Sequence, residues 1–281
     1  MLACTPHPGL GTVVVRHVQI DLATCKTSAA PRTTGGAMPK VVVVRHGDTG
    51  RQSIVFRGRT VLTVKETYNG FPAGSPGPIE LEGVSPDRKW ILYAIDPMGS
   101  ASLAADGLTL KAVAATGGRS YTVASGLLYG DYRAWCDGKL VLTAGGDRYA
   151  ANHKWLAVTG PPSWQARRLV VAPSLAFGSL ACLGNGIVVQ ATRNRPTASP
   201  EWALWRFGLE GGMSVVDTPP AGWSDDSPQV ARDGTITFVR SRNGNGMLYA
   251  IRNGNVEGPL LSLGHEDGYY GHHDWPYSIR P

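Results

Sequence analysis

No stretch of the 281 residues approaches the roughly 20 consecutive apolar positions that a membrane-crossing helix needs. Cysteine is scarce, at four residues, and none of them shows the C-x-x-C spacing of a zinc site. Helical patterning is missing as well: nowhere do apolar residues recur at i, i+3, i+4 and i+7 between capping residues. No G-x-S-x-G elbow, P-loop or dinucleotide fingerprint stands in its required setting, which removes the common sequence warrants for a hydrolase, an NTPase or a dehydrogenase. The 27 Lys and Arg against 21 Asp and Glu give a net charge of +6, but the basic residues are scattered, as Arg45, Arg57, Arg59, Arg167, Arg168, Arg193 and Arg195. That distribution lacks the grouped footprint of a nucleic-acid binder.

What the chain has in quantity is bending residues, 36 Gly and 20 Pro, beside a hydrophobic fraction of 42%. Many short strands joined by tight turns fit that balance. The length allows two ordinary domains or one large all-β domain, and a repeat decides between them. Ser85-Pro86-Asp87-Arg88-Lys89-Trp90 leads into the strand-like Ile91-Leu92-Tyr93-Ala94-Ile95, and Ala231-Arg232-Asp233-Gly234 leads into Thr235-Ile236-Thr237-Phe238-Val239. Between them, Asp137-Gly138 and Asn185-Gly186 each open a further strand, as hairpin turns that need positive φ do. The second turn residues Arg88, Gly138, Gly186 and Gly234 fall 50, 48 and 48 residues apart. A period in the forties with several strands per unit is the signature of a β-propeller.

The segment from Asp225 to Tyr249, with its acidic pair, inner strand, Asp233-Gly234 turn, second strand, Ser241-Arg242 turn and third strand, resembles a blade of the TolB-type repeat family. Ser85-Pro86-Asp87 repeats its most recognisable fragment. The resemblance implies a six-bladed propeller and a role in protein–protein contact. Counting at the repeat period gives all-β blades of four antiparallel strands near 31–78, 79–128, 129–176, 177–224 and 225–270. The sixth combines both ends: Gly271 to Ser278 as the inner strand and Thr12 to Leu22 as the outer ones. Residues 1–11 are then an N-terminal extension and 12–281 a single domain, expected to be a monomer.

The even cysteine count favours disulfides, and among three possible pairings Cys4–Cys25 would staple the N-terminal segment. Cys136 and Cys182 fall just before equivalent turns of adjacent blades and form the other expected pair. Met1-Leu2-Ala3-Cys4 reads as the remnant of an export signal. A secreted, periplasmic or cell-envelope location follows from both.

Two groups carry candidate chemistry. Val41-Val42-Val43-Val44-Arg45-His46-Gly47 is similar to the Arg-His-Gly signature of histidine phosphatases, with His46 as nucleophile and Arg45 and Arg51 as phosphoryl clamps. The competing reading is a plain hairpin, with the valine run as one strand and Gln52 to Phe56 returning. Three of the seven histidines, His265, His272 and His273, fall close to Asp274 near the C-terminal end. If Gly271 to Asp274 form the inner strand, His272 and Asp274 share one face, and with His273 and His265 they could ligate a divalent metal ion. The competing reading has them hydrogen-bonding loops around Trp275. Asp131 and the Asp225-Asp226 pair are further candidates, as loop ligands for calcium or as turn residues. The expectation is therefore a propeller scaffold binding a protein or small ligand at its channel mouth. A metal-dependent hydrolase or lyase at the same mouth is the alternative, and histidine-phosphatase activity a minor one.

Overall fold

The computed structural model describes residues 3–30, 40–46, 51–65, 79–96, 107–169 and 172–279. They form 23 strands in six antiparallel sheets arranged as propeller blades, with one 3-10 turn at Gly130–Tyr132 and no α-helix among the described residues. The closing blade contains β1 (Thr12–Val15), β2 (Val18–Asp21) and β3 (Thr27–Ala29). The second has β4 (Val41–Arg45), β5 (Arg51–Phe56) and β6 (Arg59–Lys65), and the third has β7 (Ile79–Val84), β8 (Trp90–Ile95), β9 (Thr109–Ala114) and β10 (Ser120–Ser125). The fourth is β11 (Arg133–Cys136), β12 (Lys139–Ala144), β13 (Trp155–Thr159) and β14 (Arg167–Arg168). The fifth is β15 (Leu175–Leu183), β16 (Gly186–Arg193), β17 (Ala203–Gly208) and β18 (Met213–Asp217). The sixth is β19 (Ser224–Val230), β20 (Ile236–Arg242), β21 (Asn245–Arg252) and β22 (Asn255–His265), and β23 (Tyr277–Ile279) then returns to the closing blade, inside β1.

Both ends of the chain thus share one sheet, ordered β23-β1-β2-β3, so the ring closes without a free inner edge. Residues 3–5 extend the closure: Thr5 and Ser262 donate backbone hydrogen bonds to Leu260 and Ala3, laying the N-terminal segment along β22. The disulfide Cys4–Cys25 then crosses from that edge to the β2–β3 turn, and Cys136–Cys182 ties the ends of the neighbouring innermost strands β11 and β15. Both expected pairings form, which fits an oxidising compartment.

The core is divided among the seams between blades. On β16, Ile187, Val189 and Ala191 pack toward the fourth blade with Val141 and Leu156, whereas Val188 packs toward the sixth with Phe238 and Ile251. A strand covered on both faces must be apolar on both, so the central strands read as continuous hydrophobic runs and the period-2 signal is lost. Bulges interrupt the innermost strands at Leu81/Gly83, Phe177/Leu180 and Asp226/Gln229. Polar side chains from neighbouring strands fill the gaps: Thr143 Oγ1 donates to the Gly178 carbonyl at 2.7 Å, and Gln190 Oε1 accepts from Ser179 N at 2.7 Å.

We call the face where innermost strands begin the top, and the face bearing the turns from first to second strand the bottom. The β5–β6 turn at Arg57-Gly58 lines one cleft with the bottom turns at Asp87–Lys89 and Ala114–Thr116. The described strands of the second blade therefore match the second, third and outermost strands of the others. No helix among the described residues is long and apolar enough to cross a membrane.

Candidate functional site

The top face gathers most of the residues that the sequence singled out, but in a different arrangement from the one expected. Gly271 to Asp274 do not form the inner strand. Tyr270 and Gly271 have φ of 49° and 89°, and Tyr269 and His272 exchange backbone hydrogen bonds of 2.7 and 3.0 Å around them. That tight turn, with Pro276 unable to donate a ladder hydrogen bond, delays the strand until Tyr277. His272 and Asp274 consequently do not share a face: His272 is 6% exposed, and Asp274 points to solvent.

The His272 ring stacks on Tyr129, with centroids 3.6 Å apart and planes 7° from parallel, and meets the edge of Tyr132 at 5.3 Å. Its Nε2 lies 3.0 and 3.2 Å from the two carboxylate oxygens of Asp131. Ser179, on β15, donates its hydroxyl to Asp131 Oδ2 at 2.6 Å. Burial acts to raise the Asp131 carboxyl, but the charge and hydrogen bond of His272, with the Ser179 hydroxyl, outweigh it and hold the group below the usual carboxylate range. Burial, with Asp131 adding to it, pushes the Tyr132 phenol far up.

A second acid, fully buried, lies two blades on, in the sixth. Asp226 Oδ2 accepts from Ser241 Oγ at 2.5 Å and Oδ1 from Gln190 Nε2 at 2.8 Å. Burial raises its carboxyl against the opposing charge of His273. His273 Nδ1 is 3.8 Å from Asp226 Oδ2, too far for a hydrogen bond, and has no partner. Its neighbour Asp225 is fully buried and receives Arg240 in two hydrogen bonds, of 2.7 and 3.0 Å, while Arg240 also reaches Asp217. Burial pushes Asp225 up to about 7; Arg240 opposes the shift and Asp217 adds to it. Asp225 and Asp226 are therefore members of the innermost strand β19, not turn or loop ligands.

His265 bonds Asp267 at 2.9 Å on the surface. His265, Asp267 and His273 line a cleft of about 340 Å³ together with Glu201, Trp223 and Arg242, whose guanidinium sits 5.7 Å from the Trp223 ring. Of the four residues expected around a metal, the structure brings His265 and His273 to this cleft, turns His272 toward Asp131 and leaves Asp274 outside. No group of three His, Cys, Asp or Glu among the described residues is arranged to hold a metal ion.

His46 directly follows β4, and its Nε2 is 2.7 Å from the Ser53 hydroxyl on β5. Arg45 and Arg51 are exposed, and Gly47 to Gly50 lie outside the described residues. Arg45 and His46 of the motif thus stand at the end of the antiparallel pair of Val41 to Arg45 with Gln52 to Phe56. The α/β setting of the phosphatases is not the setting here.

Asp131, Ser179, Gln190, Asp226 and Ser241 form the inner network, and of these only the two acids carried a signal in the sequence. Chemically, the order of the top-face triad decides what it can do. A serine nucleophile needs a base at its own hydroxyl. Here the carboxylate stands between hydroxyl and imidazole, so Ser179 and His272 both donate to Asp131 and neither activates the other.

No family model matches the chain, and no curated protein does. Among solved structures, puromycin hydrolase is similar over 95% of this chain and 45% of its own, at 13% identity and a TM-score of 0.47. The β-propeller domain of the Trilobed protease from Pyrococcus furiosus is similar over 85% of this chain and 72% of its own, at 12% identity and a TM-score of 0.45. The tricorn protease is similar over 95% of this chain and 26% of its own, at 13% identity and a TM-score of 0.45. The chain spans less than half the length of puromycin hydrolase. The propeller architecture itself rests on the strand order above.

Proposed function

We propose that this chain is a TolB-type propeller, exported to an oxidising compartment, that works by holding a partner protein on its top face. The observation that carries this reading is the order Ser179–Asp131–His272, in which each polar group is consumed in tying one blade to another. Ser179 belongs to the fifth blade, Asp131 leads into the fourth, and His272 precedes the closing strand. The network serves ring closure and, among the described residues, makes no activated nucleophile of Ser179. Recognition then falls to the cleft beside it, where Trp223, Arg242 and Glu201 offer an aromatic face and charges of both signs, the composition of a binding surface.

The test is affinity capture from a cell-envelope extract with wild-type protein and an Arg242→Glu, Trp223→Ala variant of unchanged thermal stability. A partner retained by the wild type and lost by the variant is the expected result. Turnover of ester, peptide or phosphomonoester substrates that disappears in Asp131→Asn would overturn the reading.

A further inference from the structure

We propose that the bottom face carries an anion site at the seam of the second and third blades, shaped for a compact ligand with two or more phosphate groups. The cleft there measures about 540 Å³, within the range of small-ligand sites. Arg57 and Arg59 line it from the second blade, Arg88 and Lys89 from the third, and all four are exposed. The one acid beside them, Asp87, is tied into its own turn, its Oδ1 accepting from Ser85 Oγ at 2.5 Å and from Lys89 N at 3.0 Å, and its Oδ2 lies 3.9 Å from Lys89 Nζ, so the three arginines are the cations it leaves unopposed. Phe56 and Trp90 supply ring surface, with the Arg57 guanidinium 5.1 Å from the Phe56 centroid. The bottom groove at the fifth and sixth blades, about 610 Å³, has only Arg206 and Arg232, beside Asp233.

A second observation is independent of charge. Arg57 and Gly58 have φ of 51° and 76°. The same pair of angles occurs at Asp137-Gly138 (49°, 72°), Asn243-Gly244 (51°, 74°) and Asn253-Gly254 (51°, 78°). Those three turns use the residues that left-handed backbone favours, and an arginine at that position is strained. Arg88, at φ 57°, stands where the equivalent turn of the sixth blade has Gly234 at 86°. Three turns hold an arginine at such angles, Arg16 (φ 55°) of the β1–β2 turn being the third, and two of the three, Arg57 and Arg88, aim a guanidinium at one cleft. Local strain of this kind persists where the side chain itself is needed. Guanidinium groups bind phosphate in paired hydrogen bonds, and four cations around a concavity fit a compact polyanion better than the flat stripe an extended polymer follows.

Calorimetric titration with inorganic pyrophosphate at low salt tests the site. Wild type is expected to bind one equivalent, with affinity falling as salt is added. Arg57→Asn and Arg88→Gly replace each arginine with the residue its turn favours, so melting temperature should hold or rise while affinity drops about tenfold for each. Arg206→Gln, Arg232→Gln on the other groove should bind as wild type. Flotation with vesicles of phosphatidylcholine and phosphatidylglycerol at about three to one separates the sources of phosphate. Vesicle binding lost in the same variants identifies a lipid headgroup, and pyrophosphate binding alone identifies a soluble ligand. Absence of pyrophosphate binding, or equal binding by the Arg57→Asn, Arg88→Gly double variant, would overturn the proposal.

Discussion

His272 and Asp131 meet across 141 residues of sequence, imidazole Nε2 to carboxylate Oδ1 at 3.0 Å, and the contact ties the end of the chain to the entrance of the fourth blade. Because Asp131 also takes the Ser179 hydroxyl, one carboxylate joins three blades. A hydrogen bond to a charged group contributes about 1.5–3 kcal/mol, and the Asp131 side chain, one-third exposed, belongs at the lower end. A double-mutant cycle of His272→Ala and Asp131→Asn, read by urea denaturation, should therefore show a coupling of about 1–2 kcal/mol. Additive single effects would mean that the pair is incidental to closure.

Asp217 and Asp225 compete for the single guanidinium of Arg240, and burial with that competition raises the Asp225 carboxyl to about 7. A carboxyl raised in the folded state binds a proton that the unfolded chain has already released. Its contribution is complete below the ordinary carboxylate value and is lost as pH rises toward 7. The acids whose carboxyls are lowered, Asp87, Asp131 and Asp233, act in the opposite direction and only below about pH 4. Wild type should thus lose stability between pH 5 and pH 7.5 through this pair. Asp217→Asn gives Arg240 wholly to Asp225 and should flatten that slope in denaturant midpoints taken at the two values. A slope unchanged by the substitution would place the titration elsewhere.

The disulfides cross two different seams, and their removal should be separable. Cys136–Cys182 spans 46 residues and Cys4–Cys25 spans 21. In the chain-entropy account each is worth about 3–4 kcal/mol, with the longer loop ahead by about 0.7. Urea midpoints of Cys136→Ala, Cys182→Ala and of Cys4→Ala, Cys25→Ala should follow that order. Only the second pair should raise hydrogen exchange at Thr5 and Ser262, the amides that pair residues 3–5 with β22.

The sequence carried the repeat clearly because hairpin turns need special residues, and those fall at near-equal spacing. It also carried both cysteine pairings and the sharing of one blade by the two ends. The site was legible only in part. Asp131 finds its partners 48 and 141 residues away, a distance that spacing cannot anticipate. The Tyr270-Gly271 turn shifted the C-terminal histidines out of strand register, so a shared face assumed from alternation was replaced by one buried ring and one exposed acid. The scattered arginines misled in the same way: Arg57 and Arg88 are distant in sequence and face one cleft in the fold. Period and turn chemistry are local signals, whereas both sites are made by contacts between blades.

Gln229 shows how the closing strand is held and how it should fail. Its side chain donates to the Tyr277 carbonyl at 2.9 Å and accepts from Ile279 N at 2.9 Å, acting toward β23 as a strand backbone would. The bulge at Asp226/Gln229 makes this possible, since it interrupts the ladder and leaves the amide free to reach across the seam. Tyr277 adds its buried hydroxyl, donated to the Ser227 carbonyl at 2.5 Å. Gln229→Ala removes both amide bonds and strands a buried donor and acceptor on β23, a cost of about 1–3 kcal/mol. Because β23 is only three residues long and is the sole inner strand of its blade, that cost falls on a local opening before global unfolding. Hydrogen exchange at Ile279 should accelerate well before amides of β20 respond, and Tyr277→Phe should show a smaller effect in the same place. Uniform acceleration across all blades would instead mean that closure and the rest of the ring open as one unit.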